Sequence, residues 1–212
     1  METLRLCVDA SRPEASIVGA AAGILARGGL VAFPTETVYG LGARAGDGEA
    51  ARRIFEAKER PATSALIVHV SGIEQARRYA QEWGEAAERL ARAFWPGPLS
   101  LVMARSSAVP DVVAAGGRTV AMRAPAHPVA LALIEALGEG IAAPSANRSS
   151  RLPPVRASHV LKGLDGRIEA VVDAGMCPGG LESTVLLLEG GRGRVLRRGA
   201  IAVEVLREHV EV

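Results

Sequence analysis

Two threonines, a glutamate and a tyrosine crowd the segment Phe33-Pro34-Thr35-Glu36-Thr37-Val38-Tyr39-Gly40-Leu41-Gly42. They follow an apolar run, residues 30–33, that reads as a buried strand. Pro34 ends that strand, because it has no amide hydrogen for a ladder and fixes its own φ. Hydroxyls and a carboxylate gathered at a strand's end suit a ligand cleft, where a loop turns polar groups inward from a rigid support. The alternative is an ordinary strand-to-helix loop with a hydrogen-bonded threonine pair.

Other side chains could complete a site. In Lys58-Glu59-Arg60-Pro61, the proline pushes Arg60 toward extended backbone, so Lys58 and Arg60 can point the same way. An ammonium and a guanidinium side by side suit a polyphosphate, one as a point charge and the other as a fork. A solvated basic helix end is the other reading of the same pair. His69 sits in the strand-like Leu66-Ile67-Val68-His69-Val70, where a lone histidine is most often structural. Thr119 and Arg123 lie four apart, on one face of a further strand. Buried in so apolar a strand, Arg123 needs an anion, either a ligand or a structural salt bridge.

Familiar nucleotide loops are absent. There is no Gly-x-x-x-x-Gly-Lys-Ser/Thr string, which excludes a P-loop. Gly40-x-Gly42-x-x-Ala45 echoes a dinucleotide fingerprint, but that turn needs its first glycine directly after the strand, and six residues separate Phe33 from Gly40. Any nucleotide must therefore be held by groups spread along the chain.

The elements that must position these groups follow from pattern. Residues 3–8 read as a strand. Ser11-Arg12-Pro13-Glu14 reads as a capping box for a helix that buries Ile17, Ala21, Ile24 and Leu25 and stops at Gly28-Gly29. Asp47 caps a helix to about Lys58 with Ala51, Ile54 and Phe55 inward. Strands are expected at 65–70, 99–104, 119–124, 141–143, 169–173, 184–188 and 194–196. Helices are expected over 72–93 with a break at Gly84, and over 127–137, 156–164 and from about Ala202. Trp95-Pro96-Gly97-Pro98 reads as a rigid turn. This irregular alternation predicts an α/β three-layer sandwich with a twisted mixed parallel/antiparallel sheet.

The totals agree with one folded domain, or one large domain with appendages. The 212 residues are 49% hydrophobic, with three phenylalanines, two tyrosines and two tryptophans, so Val, Leu, Ile and Ala must build the core. With 25 basic and 23 acidic residues, the chain is no polycation made for bulk nucleic-acid binding. Cys7 and Cys177 are isolated, which argues against structural zinc and for a reducing compartment. The N-terminus lacks a signal pattern and no apolar run approaches membrane-spanning length, so a cytoplasmic protein without membrane contact is expected.

The segment from Phe33 to Gly42 resembles the signature loop of the YrdC-type L-threonylcarbamoyladenylate synthases. Ala143-Pro144-Ser145-Ala146-Asn147 resembles the family's second signature. Asp173-Ala174-Gly175, leading to Gly179-Gly180-Leu181-Glu182-Ser183-Thr184, resembles its glycine-rich segment. The likeness extends over roughly residues 12 to 200 and implies a YrdC/RibB-like fold. It also implies one domain over residues 1–212, without the C-terminal domain of longer relatives. It places L-threonine at Thr35, His69, Arg123, Ala143 and Ser183. ATP falls to Lys58, Arg60, Ser64, Thr119, Ser145, Pro153 and Arg197, with Lys58 and Arg60 the catalytic pair and Asn147 bracing its loop. The implied substrates are L-threonine, bicarbonate and ATP. Mg²⁺ is expected to arrive with the ATP, since no carboxylate cluster offers a dedicated metal site. The implied product is threonylcarbamoyl-AMP for tRNA N6-threonylcarbamoyladenosine, with downstream tRNA threonylcarbamoyl transferase proteins as the implied recipients.

The sequence departs from the family at Glu59 (usually glycine), at Ser64 (usually asparagine), at Pro153 (usually serine) and at Arg198 (often proline). Two rival readings remain: an RNA-binding or regulatory member of the fold, and a carbamoyl-transfer relative. Near-neutral charge and few aromatics speak against the first, although weak RNA binding stays among the possible partners.

Overall fold

Strands and helices alternate along the chain in the computed structural model, which describes residues 2–61 and 63–212. The order is β1 (Leu4–Cys7), α1 (Ala15–Ala26), β2 (Val31–Phe33), β3 (Gly40–Arg44), α2 (Gly48–Lys58), β4 (Ile67–His69), α3 (Ile73–Ala76), α4 (Glu85–Phe94) and β5 (Leu99–Ala104). It continues with β6 (Thr119–Arg123), α5 (Pro128–Leu137), β7 (Ile141–Ala143), α6 (Ala157–Leu164), β8 (Ala170–Asp173), β9 (Thr184–Glu189), β10 (Arg192–Arg197) and α7 (Val203–Arg207). Among the described residues these strands form one sheet, ordered β1-β8-β2-β3-β7-β4-β6-β5-β9-β10. It is mixed: β8 runs parallel to β1 and β2, whereas β3 is antiparallel to both β2 and β7. The expected mixed-sheet α/β architecture is observed. No helix of the described residues is long and apolar enough to cross a membrane.

Side-chain alternation along the strands divides the interior in two. Val31, Phe33, Ile141, Ala143, Ala170 and Val172 face a core closed by Val18 and Leu25 of α1 and Val129 and Leu133 of α5. The intervening Ala32, Ala142 and Val171 face the opposite core, with Ile54 and Phe55 of α2, Leu90 of α4 and Val160 of α6. Helices therefore cover both faces of the sheet. Beyond β7 the first face continues without α1 or α5. Ile67 pairs with Ala143 and Ala121, and His69 pairs with Ile141 and Arg123, so these side chains share that face. The site is built there.

Two sequence expectations are corrected. Ser11 does not cap α1. The helix begins at Ala15 after Glu14, which makes no side-chain cap, and the Asp9 carboxylate instead accepts from the Ser11 and Arg12 amides. An aspartate turn thus outcompetes the capping box, with the Glu14 carboxylate accepting from the Asp9 amide. The second concerns Gly40 and Gly42, expected to close the polar loop after Pro34 and found in β3, in the middle of the sheet. Gly42 hides the strand from pattern reading. A Cβ there would lie 2.6 Å from Ile141 Cγ2 and 2.9 Å from the Phe33 ring, so the backbone needs a glycine to pass. A strand at this point also leaves no dinucleotide turn.

Candidate active site

The residues after β2 fold back through their own hydroxyls. Thr35 Oγ1 lies 2.8 Å from Thr37 Oγ1, donates to Val38 O at 2.7 Å and accepts from the Val38 amide. Both threonines are buried, so the threonine pair and the ligand cleft are one structure. Two segments distant in sequence lie across this loop. The Tyr39 amide donates to Pro154 O, and the Ala146 amide to Tyr39 O. On the other side the Gly179 and Gly180 amides donate to Glu36 O and Thr37 O. Gly179 must be small, because a Cβ would stand 2.6 Å from Glu36 O.

Together these segments enclose a cavity of about 100 Å³. Thr35, His69, Arg123, Ala143 and Ser183 all line it. Each is buried: they form its floor. Arg60, Ser145 and Arg197 also line it but are only half-buried, which sets them at the rim. The four other residues expected at a nucleotide lie outside the lining. Thr119 is exposed at the far end of β6, and Ser64 and Pro153 are half-buried. Sites for drug-sized ligands occupy roughly 300–1,000 Å³. This cavity suits one small molecule, and anything as long as a nucleotide would have to extend past the rim.

Lys58 has an unexpected seat. Its side chain is buried at the end of α2, and its ammonium donates to Ser145 O at 2.5 Å and to Asn147 O. The last turn of α2 thereby clamps the 145–147 loop. Asn147 braces it further, donating to Arg148 O and to Arg151 O at 2.6 Å. Burial, assisted by nearby Arg60 and opposed by Glu182, pushes the Lys58 amine down to about 7. Burial likewise lowers Arg60. Glu59 takes φ 52°, a left-handed backbone that favours glycine. Its exposed carboxylate pairs with Arg148 and, at 2.9 Å, with Arg167, so it does not line the cavity.

His69 is edge-on to Phe33, with ring centroids 5.7 Å apart. Burial and then the Arg123 charge push it down to about 3, so it works as a neutral ring. Arg123 donates from Nε to Gly97 O at 3.2 Å and from Nη1 to Thr37 Oγ1 at 3.1 Å, and its Nη2 lies 2.5 Å from Glu36 Oε1. Ser183 Oγ lies 2.8 Å from Ser100 Oγ, and Arg197 Nη2 donates to it at 3.0 Å. Arg197 also pairs with Glu182 at 2.7 Å. Sequence reasoning missed Ser100 and Glu182 as neighbours of the site, and placed the Glu36 carboxylate in the cleft loop without pairing it with Arg123. Only the carboxylates carried a signal: an apolar strand with a buried arginine needs an anion, and Glu36 was already in the crowded loop.

The family model described as "Telomere recombination", Sua5/YciO/YrdC, matches residues 23–199. The chain belongs to the Sua5/YciO/YrdC family. It is 50% identical over 188 residues to the threonylcarbamoyl-AMP synthase of Pyrococcus abyssi, covering 89% of this chain and 55% of that protein. With the Bacillus subtilis threonylcarbamoyl-AMP synthase the identity is 46%, covering 88% and 54%. The crystal structure of P. abyssi Sua5 complexed with L-threonine superposes with a TM-score of 0.95 at 46% identity, covering 99% of this chain and 62% of that one. The chain thus spans little more than half the length of these Sua5/YciO/YrdC relatives.

Proposed function

We propose that this protein is a threonylcarbamoyl-AMP synthase. One observation carries the reading: all five side chains expected at L-threonine line one small cavity, in a fold close to that of a Sua5 protein complexed with L-threonine. Arg123 would receive the amino-acid carboxylate as a charge-assisted pair. Thr35, neutral His69 and Ser183 would read the hydroxyl and amine. The threonine amine and bicarbonate would form a carbamate with loss of water. A carbamate oxygen would then attack the α-phosphorus of ATP, making a P–O bond as the bond to pyrophosphate breaks. The assignment makes the protein a nucleotidyltransferase.

ATP would enter over the rim, its phosphates meeting Arg60, Ser145 and Arg197, with Lys58 serving through the loop it clamps. Ser64, Thr119 and Pro153 would meet the rest of the nucleotide outside the cavity. Mg²⁺ would travel with the triphosphate. Catalysis would rest on positioning and charge neutralisation, since the chemistry asks for no side-chain nucleophile. The product would pass to tRNA threonylcarbamoyl transferase proteins in the cytoplasm.

The test is pyrophosphate release by purified protein. It is expected only when ATP, L-threonine and bicarbonate are all present, because the nucleophile does not exist without both small substrates. Release that ignores threonine overturns the assignment.

A further inference from the structure

Buried side-chain polar atoms without a hydrogen-bond partner are few in folded proteins, and each calls for a reason. Among the described residues there are four, and three belong to one pair: Glu36 Oε1, Glu36 Oε2 and Arg123 Nη2. The two groups are close enough to be an ion pair, at 2.5 Å, yet are not aligned to share a proton. Around them the polar groups are well satisfied. Thr35 and Thr37 bond each other, and Ser183 is held by Ser100 and Arg197.

The pair is also asymmetric. Arg123 is fixed from two other directions, by Gly97 O and Thr37 Oγ1, and its side chain is 4% exposed. Glu36 has no such ties on its carboxylate, and its side chain is 15% exposed. One partner is anchored by further hydrogen bonds and the other is not.

We propose that Glu36 is a place-holding carboxylate. With no amino acid bound it balances Arg123, and it yields Nη2 when the substrate's own carboxylate arrives. This rests on the amino-acid site proposed above. Glu36 is then a specificity residue. A ligand enters fully only if it brings a carboxylate that can replace one, since otherwise a buried guanidinium would lose its counter-charge. The exchange also sets affinity. The fraction of molecules in which Arg123 is held by Glu36 is a fraction unavailable to substrate, which raises the apparent dissociation constant.

The experiment compares wild type, Glu36→Gln and Glu36→Ala by calorimetric titration with L-threonine and with L-threoninamide, which lacks the carboxylate. Wild type is expected to bind threonine. Both variants should bind it more tightly, by about tenfold, a usual size for competition between coupled groups. Threoninamide affinity should change much less. In steady state the Michaelis constant for threonine should fall in both variants. Without ligand both variants should unfold at a lower temperature than wild type, and threonine should raise their midpoints more. Equal or weaker threonine binding in both variants overturns the exchange: Glu36 would then be a strut for Arg123 or a contact to the substrate amine. Equal tightening toward threoninamide overturns it too, since the gain would be mere opening of the cavity. A wild-type protein that binds no threonine overturns the amino-acid reading itself, and the exchange with it.

Discussion

At the scale of single residues, the floor and the rim of the cavity make separable predictions. The floor groups Thr35, His69 and Ser183 are polar and dry. An amino acid without a hydroxyl would set a methyl against these buried polar groups where threonine offers a hydrogen bond, so valine should be rejected by up to ~10⁴ in turnover efficiency relative to threonine. Serine keeps the hydroxyl and lacks only a methyl, and should lose roughly 10–200-fold. Comparable rates for valine and threonine would show that these residues read something else. Arg60 stands at the rim, so Arg60→Ala should weaken binding of an ATP analogue by about 1.5–3 kcal/mol and leave threonine binding nearly intact. Titration with each ligand separates the two effects.

At the scale of elements, much was legible and the exceptions have physical causes. The helix capped by Asp47 ends at Lys58 as its pattern requires, and strands such as Leu99–Ala104 follow from β-branched and apolar runs. What escaped was local competition and distant contact. Asp9 took the amides that Ser11 and Glu14 were expected to organise, and β3 was hidden because its glycines answer to Phe33 and Ile141 across the sheet. The lysine at the end of α2 was identified, but its neighbours Ser145 and Asn147 lie far along the chain, so spacing said nothing of the clamp. That clamp has a pH signature. With its amine lowered to about 7 from 10.5, Lys58 in the folded protein sheds its proton above pH 7 while the unfolded chain keeps it. Stability therefore rises with pH across the window from 7 toward 10.5, by up to roughly 1.4 kcal/mol per pH unit, and this contribution is flat below 7. Lys58→Met lacks the titration. The stability of wild type minus that of the variant, from denaturant unfolding at pH 6 to 9, should be constant to about pH 7 and then climb. A flat difference throughout would mean that the amine keeps an ordinary proton affinity.

At the scale of the whole molecule, charge and layering have consequences of their own. With a net charge of only +2, the proposed reaction should run at the same rate with or without added RNA, and moderate salt should affect it little. Salt-sensitive RNA binding without threonine-dependent turnover would favour an RNA-binding member of the fold. The face of the sheet that carries His69 and Arg123 is the one that packs α1 and α5, and Phe33 belongs to both, buried with Val18 and Leu133 while its ring meets His69. Phe33→Leu should accordingly cost about 1–3 kcal/mol of stability and loosen threonine binding as well, although Phe33 does not line the cavity. On warming, the cavity should therefore melt with the core that supports it. Threonine affinity, followed by calorimetry at rising temperature, should fade at the midpoint at which helical ellipticity collapses, so that heat inactivates this protein all at once, with no lukewarm state that is folded yet unable to bind.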